Sequence, residues 1–104
     1  MEIISIDELH DRIDALGSDA LILDVRSPEE FEEGHIQEAK NIPHDQVHSI
    51  ADELKSYKTV FVHCKMGGRA QIASKSLEAV GLTNIICVGK GGMQRWQEKG
   101  WPVE

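Results

Sequence analysis

Three short runs in this chain are apolar at nearly every position: Ala20–Val25 (ALILDV), Thr59–His63 (TVFVH) and Asn84–Val88 (NIICV). A continuous apolar run of this length belongs to a strand covered on both faces. Segments of helical periodicity separate the runs, and this alternation predicts an α/β fold built on a parallel sheet. The length of 104 residues is that of one domain, so residues 1–104 are expected to form a single unit. About half of the chain is apolar or glycine, enough for a core.

The punctuation marks out the remaining elements. Glu2-Ile3-Ile4 reads as a first strand. Ser5 with Glu8 forms a capping-box pattern, predicting a helix through about Leu16 with Ile6, Leu9, Ile13 and Leu16 inward and Gly17 as its stop. Ser27-Pro28-Glu29-Glu30 combines an N-cap, a proline at the first helical position and a second capping box; that helix is short and ends at Gly34. Ala39–Ile42 is a short strand stopped by Pro43, and Asp45–Leu54 is read as a helix. A longer helix is expected over Ala70–Val80, with Ala73, Leu77 and Val80 on its inner side and Gly81 beyond it. The last helix is expected over Met93–Glu98.

Composition excludes several function classes. Two cysteines cannot staple a secreted mini-protein. No run approaches the ~18 apolar residues of a membrane span, and the acidic first twenty residues lack the apolar core of a signal peptide. A cytoplasmic protein with reduced thiols is expected. The net charge of −7 argues against nucleic acid as a partner, since that requires a basic footprint. The charge is uneven: residues 1–52 carry a balance of −11 and residues 53–104 one of +4. The second half can therefore hold a local anion site.

The segment that carries chemistry is Val60 to Ala70, VFVHCKMGGRA. A buried strand ends at Cys64, a glycine-containing loop follows, and a helix begins. Ligands of open α/β sheets bind outside the carboxyl ends of the strands. Gly67 and Gly68 permit the positive φ angles with which successive backbone N–H groups curl into an anion-binding nest. The start of the next helix adds unpaired N–H groups and partial positive charge, and Lys65 and Arg69 add cations. A cysteine so placed is expected to ionise readily and act as a nucleophile.

With these residues in view, the sequence resembles a single-domain rhodanese-like sulfurtransferase over nearly its whole length. The resemblance rests on Asp24-Val25-Arg26, Glu30-Phe31, Gly34-His35-Ile36, Ala39, Asn41 and Pro43 in the first half. It continues through the loop Cys64–Arg69 to Gly91-Gly92-Met93, Trp96, Gly100, Pro102 and Val103. It implies a parallel five-stranded sheet with helices on both faces. It also implies that Cys64 takes a sulfane sulfur as a persulfide, with Lys65, Met66, Gly67, Gly68, Arg69 and Ala70 forming the cradle, and that Asp24 and Arg26 support the loop from behind. The implied donors are thiosulfate or a persulfide, and the implied acceptors are cyanide or a thiol. No cofactor or metal is implied, and nothing demands more than a monomer. The alternative is a carrier module whose persulfide serves one specific protein acceptor, docked by the acidic first half. Two positions depart from the family pattern. Gln37-Glu38 stands where Pro-Gly is common, and Ala70 stands where Ser or Thr is common.

The rival chemistry is phosphoryl transfer. Tyrosine phosphatases resemble this loop in beginning with His-Cys, but they place five residues before the arginine. Here four separate Cys64 from Arg69, too short a loop to surround three phosphoryl oxygens. Other tempting residues have plainer readings. His44 and His48, four apart, are read as a solvated helix face rather than metal ligands. Cys87 is read as core, since a resolving role would require it at the pocket mouth. Gly89–Gly92 lacks the spacing and the Lys-Ser/Thr of a phosphate loop. Met66 at the loop tip is a candidate apolar contact for an acceptor, and His35 a backbone-bonded turn residue.

Overall fold

Each apolar run becomes a strand of one sheet in the computed structural model, which describes all 104 residues. The strands are β1 (Glu2–Ser5), β2 (Ala20–Asp24), β3 (Lys40–Asn41), β4 (Thr59–His63) and β5 (Ile85–Lys90). Their order across the sheet is β1-β5-β4-β2-β3, and every neighbouring pair is parallel. The α/β fold with a parallel five-stranded sheet is thus as expected. β4 is central and has the boundaries read from the sequence. All five carboxyl ends lie on one edge, and Cys64 directly follows β4 there.

Side chains alternate between two cores, as the two-residue period of a strand requires. On one face Leu21, Leu23, Val60, Val62, Ile85 and Cys87 pack against Ala70, Ala73 and Leu77 of α4 (Gly68–Ala79) and Leu54 of α3 (Ala51–Leu54). On the other face Ile22, Phe61 and Val88 pack against Ile6 and Leu9 of α1 (Ile6–Arg12) and Met93 and Trp96 of α5 (Gly92–Glu98). Helices therefore cover both faces. α2 (Pro28–Glu33) sits beyond the end of β2 and carries the expected capping box, with Ser27 and Glu30 each bonding the other's backbone.

Several local expectations are corrected. At Ser5 only half of a capping box forms: its Oγ accepts from the Glu8 N–H, but the Glu8 carboxylate turns to Arg12. α1 stops at Arg12 and tightens into a 3-10 turn over Ile13–Ala15. That turn satisfies the last carbonyls by itself, so Gly17 is not the helix stop. The helix expected over Asp45–Leu54 is two pieces, a 3-10 turn at Val47–Ile50 and the single turn of α3. Ser49 is the reason: its N–H and its Oγ both bond the Gln46 carbonyl, at 3.1 and 2.7 Å, closing a tight turn instead of propagating a helix. Val80 is half exposed rather than inward, because α4 ends at Ala79. The last strand begins at Ile85 and runs on to Lys90.

Candidate functional site

The carboxyl end of β4 delivers Cys64 into a loop that closes on its sulfur. The thiol is buried, and its Sγ accepts the backbone N–H of Gly67 at 3.0 Å and of Ala70 at 3.3 Å. Ala70 lies in the first turn of α4, so its N–H is one of those a helix start leaves without an internal partner. Two convergent N–H donors around one sulfur form a small nest that favours negative charge on it. The donor at Ala70 belongs to the backbone, so the missing side-chain hydroxyl leaves this contact intact.

The curl depends on glycine at Gly67 and not at Gly68. Gly67 has φ +119° and faces the Gly89 backbone so closely that a Cβ would collide with the Gly89 carbonyl oxygen. Gly68 is the first residue of α4 and faces open space, which corrects the expectation that both adopt positive φ. Lys65 and Met66 point outward, and Met66 at 65% exposure is the most exposed large apolar side chain of the chain.

A second layer lies under the loop and was not visible in the sequence. The first amides of α5 donate to it: Met93 N–H to the Cys64 carbonyl at 2.8 Å and Gln94 N–H to the Lys65 carbonyl at 3.1 Å. Gly92 makes this possible, with φ +66° and no room for a Cβ against those two carbonyls. The Gly91-Gly92 pair of the sequence was the one signal for this approach.

Arg69 is not a free cation. Its Nη1 and Nη2 donate to the two carboxylate oxygens of Glu30 at 2.6 and 2.9 Å. The guanidinium holds the Glu30 carboxyl well below the usual range, at about 2, against a smaller opposing effect of burial. The pairing raises Arg69 in turn. Glu30 appeared in the sequence as a capping residue and in the family pattern Glu30-Phe31, but not as a partner of Arg69. Of the two loop cations, Lys65 alone makes no ion pair.

Asp24 and Arg26 lie behind the loop, both buried. Arg26 donates to both Asp24 carboxylate oxygens, with Nη2 at 2.7 Å from one, and Nη2 also donates to the Gly34 carbonyl at 2.8 Å. Asn41 Nδ2 closes the group on the Asp24 and Arg26 carbonyls at 3.0 Å each. This cluster ties the end of β2 to the end of α2, the helix that presents Glu30. His63, on the opposite sheet face from Cys64, is fully buried with neither ring nitrogen hydrogen-bonded, 3.9 Å from Asp24. Burial pushes its pKa down, outweighing the nearby Asp24 carboxylate.

The other singled-out residues fall as follows. Cys87 is fully buried on β5, within the core and not at a pocket mouth, and burial raises its thiol. His44 precedes the 3-10 turn that contains His48, so the two do not share a helix. His35 Nδ1 pairs with the Phe31 carbonyl at 2.9 Å, a backbone-bonded turn. A groove of about 460 Å³ between α1, α5 and Gln37-Glu38 does not include Cys64 in its lining.

Residues 5–99 match the family model described as Rhodanese-like domain. The chain belongs to the rhodanese-like family. Solved rhodanese-like structures align along its whole length: a rhodanese-related protein of Thermoplasma volcanium superposes with a TM-score of 0.81 at 33% identity, covering 100% of this chain and 98% of that one. Thiosulfate sulfurtransferase 16, chloroplastic, of Arabidopsis thaliana is 30% identical over 79% of this chain and 78% of its own length. The putative sulfur carrier protein YrkF of Bacillus subtilis is 35% identical over 75% of this chain. The chain spans 42% of YrkF, and less than two thirds of several other relatives. Rhodanese-like relatives are thus sulfurtransferases or sulfur carriers. No helix of this rhodanese-like chain is long and apolar enough to cross a membrane.

Proposed function

We propose that residues 1–104 act as one sulfurtransferase unit, with Cys64 as the nucleophile and the loop Lys65–Ala70 as the cradle of its persulfide. The observation that carries this reading is the pair of backbone N–H groups, from Gly67 and Ala70, that converge on Cys64 Sγ. The Cys64 thiolate attacks the outer sulfur of thiosulfate; a sulfur–sulfur bond forms on Cys64, and sulfite leaves with the electron pair of the broken bond. With a persulfide donor the leaving group is the donor's thiolate. Such displacement follows the rules of thiol–disulfide exchange. The persulfide remains until cyanide or an acceptor thiol attacks its outer sulfur and regenerates the thiolate. A general base is not needed for either step. The narrow nest suits one sulfur atom, and the four residues between Cys64 and Arg69 suit it better than a phosphoryl group. Asp24 and Arg26 act on the loop from behind by fixing α2. The protein works as a cytoplasmic monomer that keeps both thiols reduced, with no metal or cofactor and no nucleic-acid partner.

The decisive experiment is intact-protein mass spectrometry after treatment with thiosulfate or a glutathione persulfide. The wild type gains one sulfur atom and loses it to cyanide; Cys64→Ser gains none. Absence of the gain with both donors overturns the reading. A second reading, a carrier serving one protein acceptor, draws on the exposure of Met66 at the loop tip. It predicts a loaded Cys64 that small thiols unload slowly and one protein acceptor unloads fast.

A further inference from the structure

We propose that Glu30 sets donor selectivity, by occupying the guanidinium edge of Arg69 that an anionic sulfonate donor would otherwise engage. This rests on the sulfurtransferase reading and names the residue that tunes it. Arg69 belongs to the sulfur-binding loop and immediately precedes Ala70, whose N–H donates to Cys64 Sγ at 3.3 Å; charge on that sulfur favours the cation. An incoming thiosulfate dianion has to place its sulfonate close to the sulfur it gives up. The Arg69 guanidinium of this loop is already covered by a bidentate carboxylate, at 2.6 and 2.9 Å. Bidentate contacts between Arg and carboxylate are among the stronger charged hydrogen bonds.

Glu30 is also anchored from its own side. Its Oε1 accepts from Ser27 N–H at 3.2 Å and Ser27 Oγ at 3.1 Å, and its backbone N–H donates to Ser27 Oγ at 3.2 Å. Ser27 in turn stands next to Arg26, which is locked to Asp24 and Gly34. The carboxylate therefore cannot swing away without breaking the capping box. Both side chains remain about 30% exposed, so the pair is open to a solute that approaches the loop. A sulfonate donor must share or displace Glu30 and meets its negative charge. A donor lacking a sulfonate needs only the N–H nest at Cys64. This domain is accordingly biased towards persulfide donors over thiosulfate.

Glu30→Gln is the informative change. Glutamine at this helix position still completes a capping box and still offers Arg69 one acceptor, so the fold is kept while the charge is lost. The measurement is the rate of sulfur loading onto Cys64, by intact mass, from thiosulfate and from 2-hydroxyethyl persulfide, for wild type, Glu30→Gln and Glu30→Asp. Melting temperatures confirm that each variant is folded. The expected result is a gain of about 3- to 10-fold in thiosulfate loading per unit concentration for Glu30→Gln, through KM rather than kcat. The persulfide rate stays unchanged, and Glu30→Asp, which keeps the charge, shows no such gain. An unchanged ratio between the donors, or equal losses on both, makes Glu30 a structural brace and overturns the selectivity. If neither donor loads wild-type Cys64, the sulfurtransferase reading itself is overturned, and the selectivity with it.

Discussion

The backbone N–H of Met93 donates to the carbonyl of Cys64 across 2.8 Å, so the first turn of α5 holds the peptide of Cys64 itself. The neighbouring bond from Gln94 to Lys65 repeats the contact one residue on. The orientation of Cys64 is therefore set from two sides, by the loop above its sulfur and by α5 beneath its carbonyl.

Gly92→Ala tests that arrangement. A Cβ there meets the Cys64 and Lys65 carbonyls, and alanine at φ +66° is strained besides. The variant is expected to lose about 2–4 kcal/mol of stability, read by urea denaturation. Sulfur loading at Cys64 is expected to fall by at least tenfold in the protein that remains folded. Unimpaired loading in a folded variant means that α5 does not orient Cys64.

Asp24→Asn leaves the buried Arg26 guanidinium without its counter-charge. Removing one partner of a buried pair costs about 3–5 kcal/mol, because Arg26 is left with neutral acceptors only, the new amide oxygen and the Gly34 carbonyl. The loss is expected in the denaturation midpoint. Loading of Cys64 from a persulfide donor should decline too, as α2 loosens and the loop loses its support from behind. A midpoint within experimental error of the wild type rules out the bracing role.

His63 makes stability depend on pH. Its pKa in the folded chain is depressed below the ordinary 6.5 by burial. Above 6.5 the ring is neutral both folded and unfolded and contributes no pH dependence. Below 6.5 the unfolded chain takes up a proton that the folded chain refuses, so stability falls with pH at up to ~1.4 kcal/mol per unit. The check is unfolding free energy between pH 7 and pH 5 for wild type and His63→Leu. The variant is expected to show the shallower slope, and parallel slopes count against the depressed pKa.

Cys87→Ala separates the two thiols. Cys87 is wholly inside the core on β5, so the variant is expected to lose about 1 kcal/mol from the small cavity and to load sulfur at Cys64 at the wild-type rate. Loss of loading or of sulfur release in a folded Cys87→Ala protein gives the second thiol a part in the chemistry.

Local patterns of the sequence carried the fold and the placement of Cys64. TVFVH has an apolar centre, Val60–Val62, and leads into Cys64, so β4 and the position of the thiol at the sheet edge follow from residues that are neighbours in the chain. The Ser27–Glu30 capping box is likewise complete within four residues, and it forms. Where side chains compete with the backbone, as Ser49 does with its bonds to Gln46, periodicity alone mistakes two tight turns for a helix. The cradle was legible in outline, while the choice of Gly67 over Gly68 depended on the approach of Gly89 from another strand end.

The electrostatics of the site belong to the tertiary structure. The two halves of opposite charge meet at the loop through Glu30 and Arg69, which are 39 residues apart in sequence. An acidic first half and a basic loop are visible as composition, but a charge count has no distance in it. Coulomb energy and hydrogen bonding depend on separation and orientation, and these arise only when β2 and β4 pair and bring α2 against the start of α4. The sequence by itself determined which sulfur stands at the end of β4 and which backbone surrounds it, because those groups are joined covalently. Which charges stand beside that sulfur, and which support it from beneath, was decided only by the packing of distant segments.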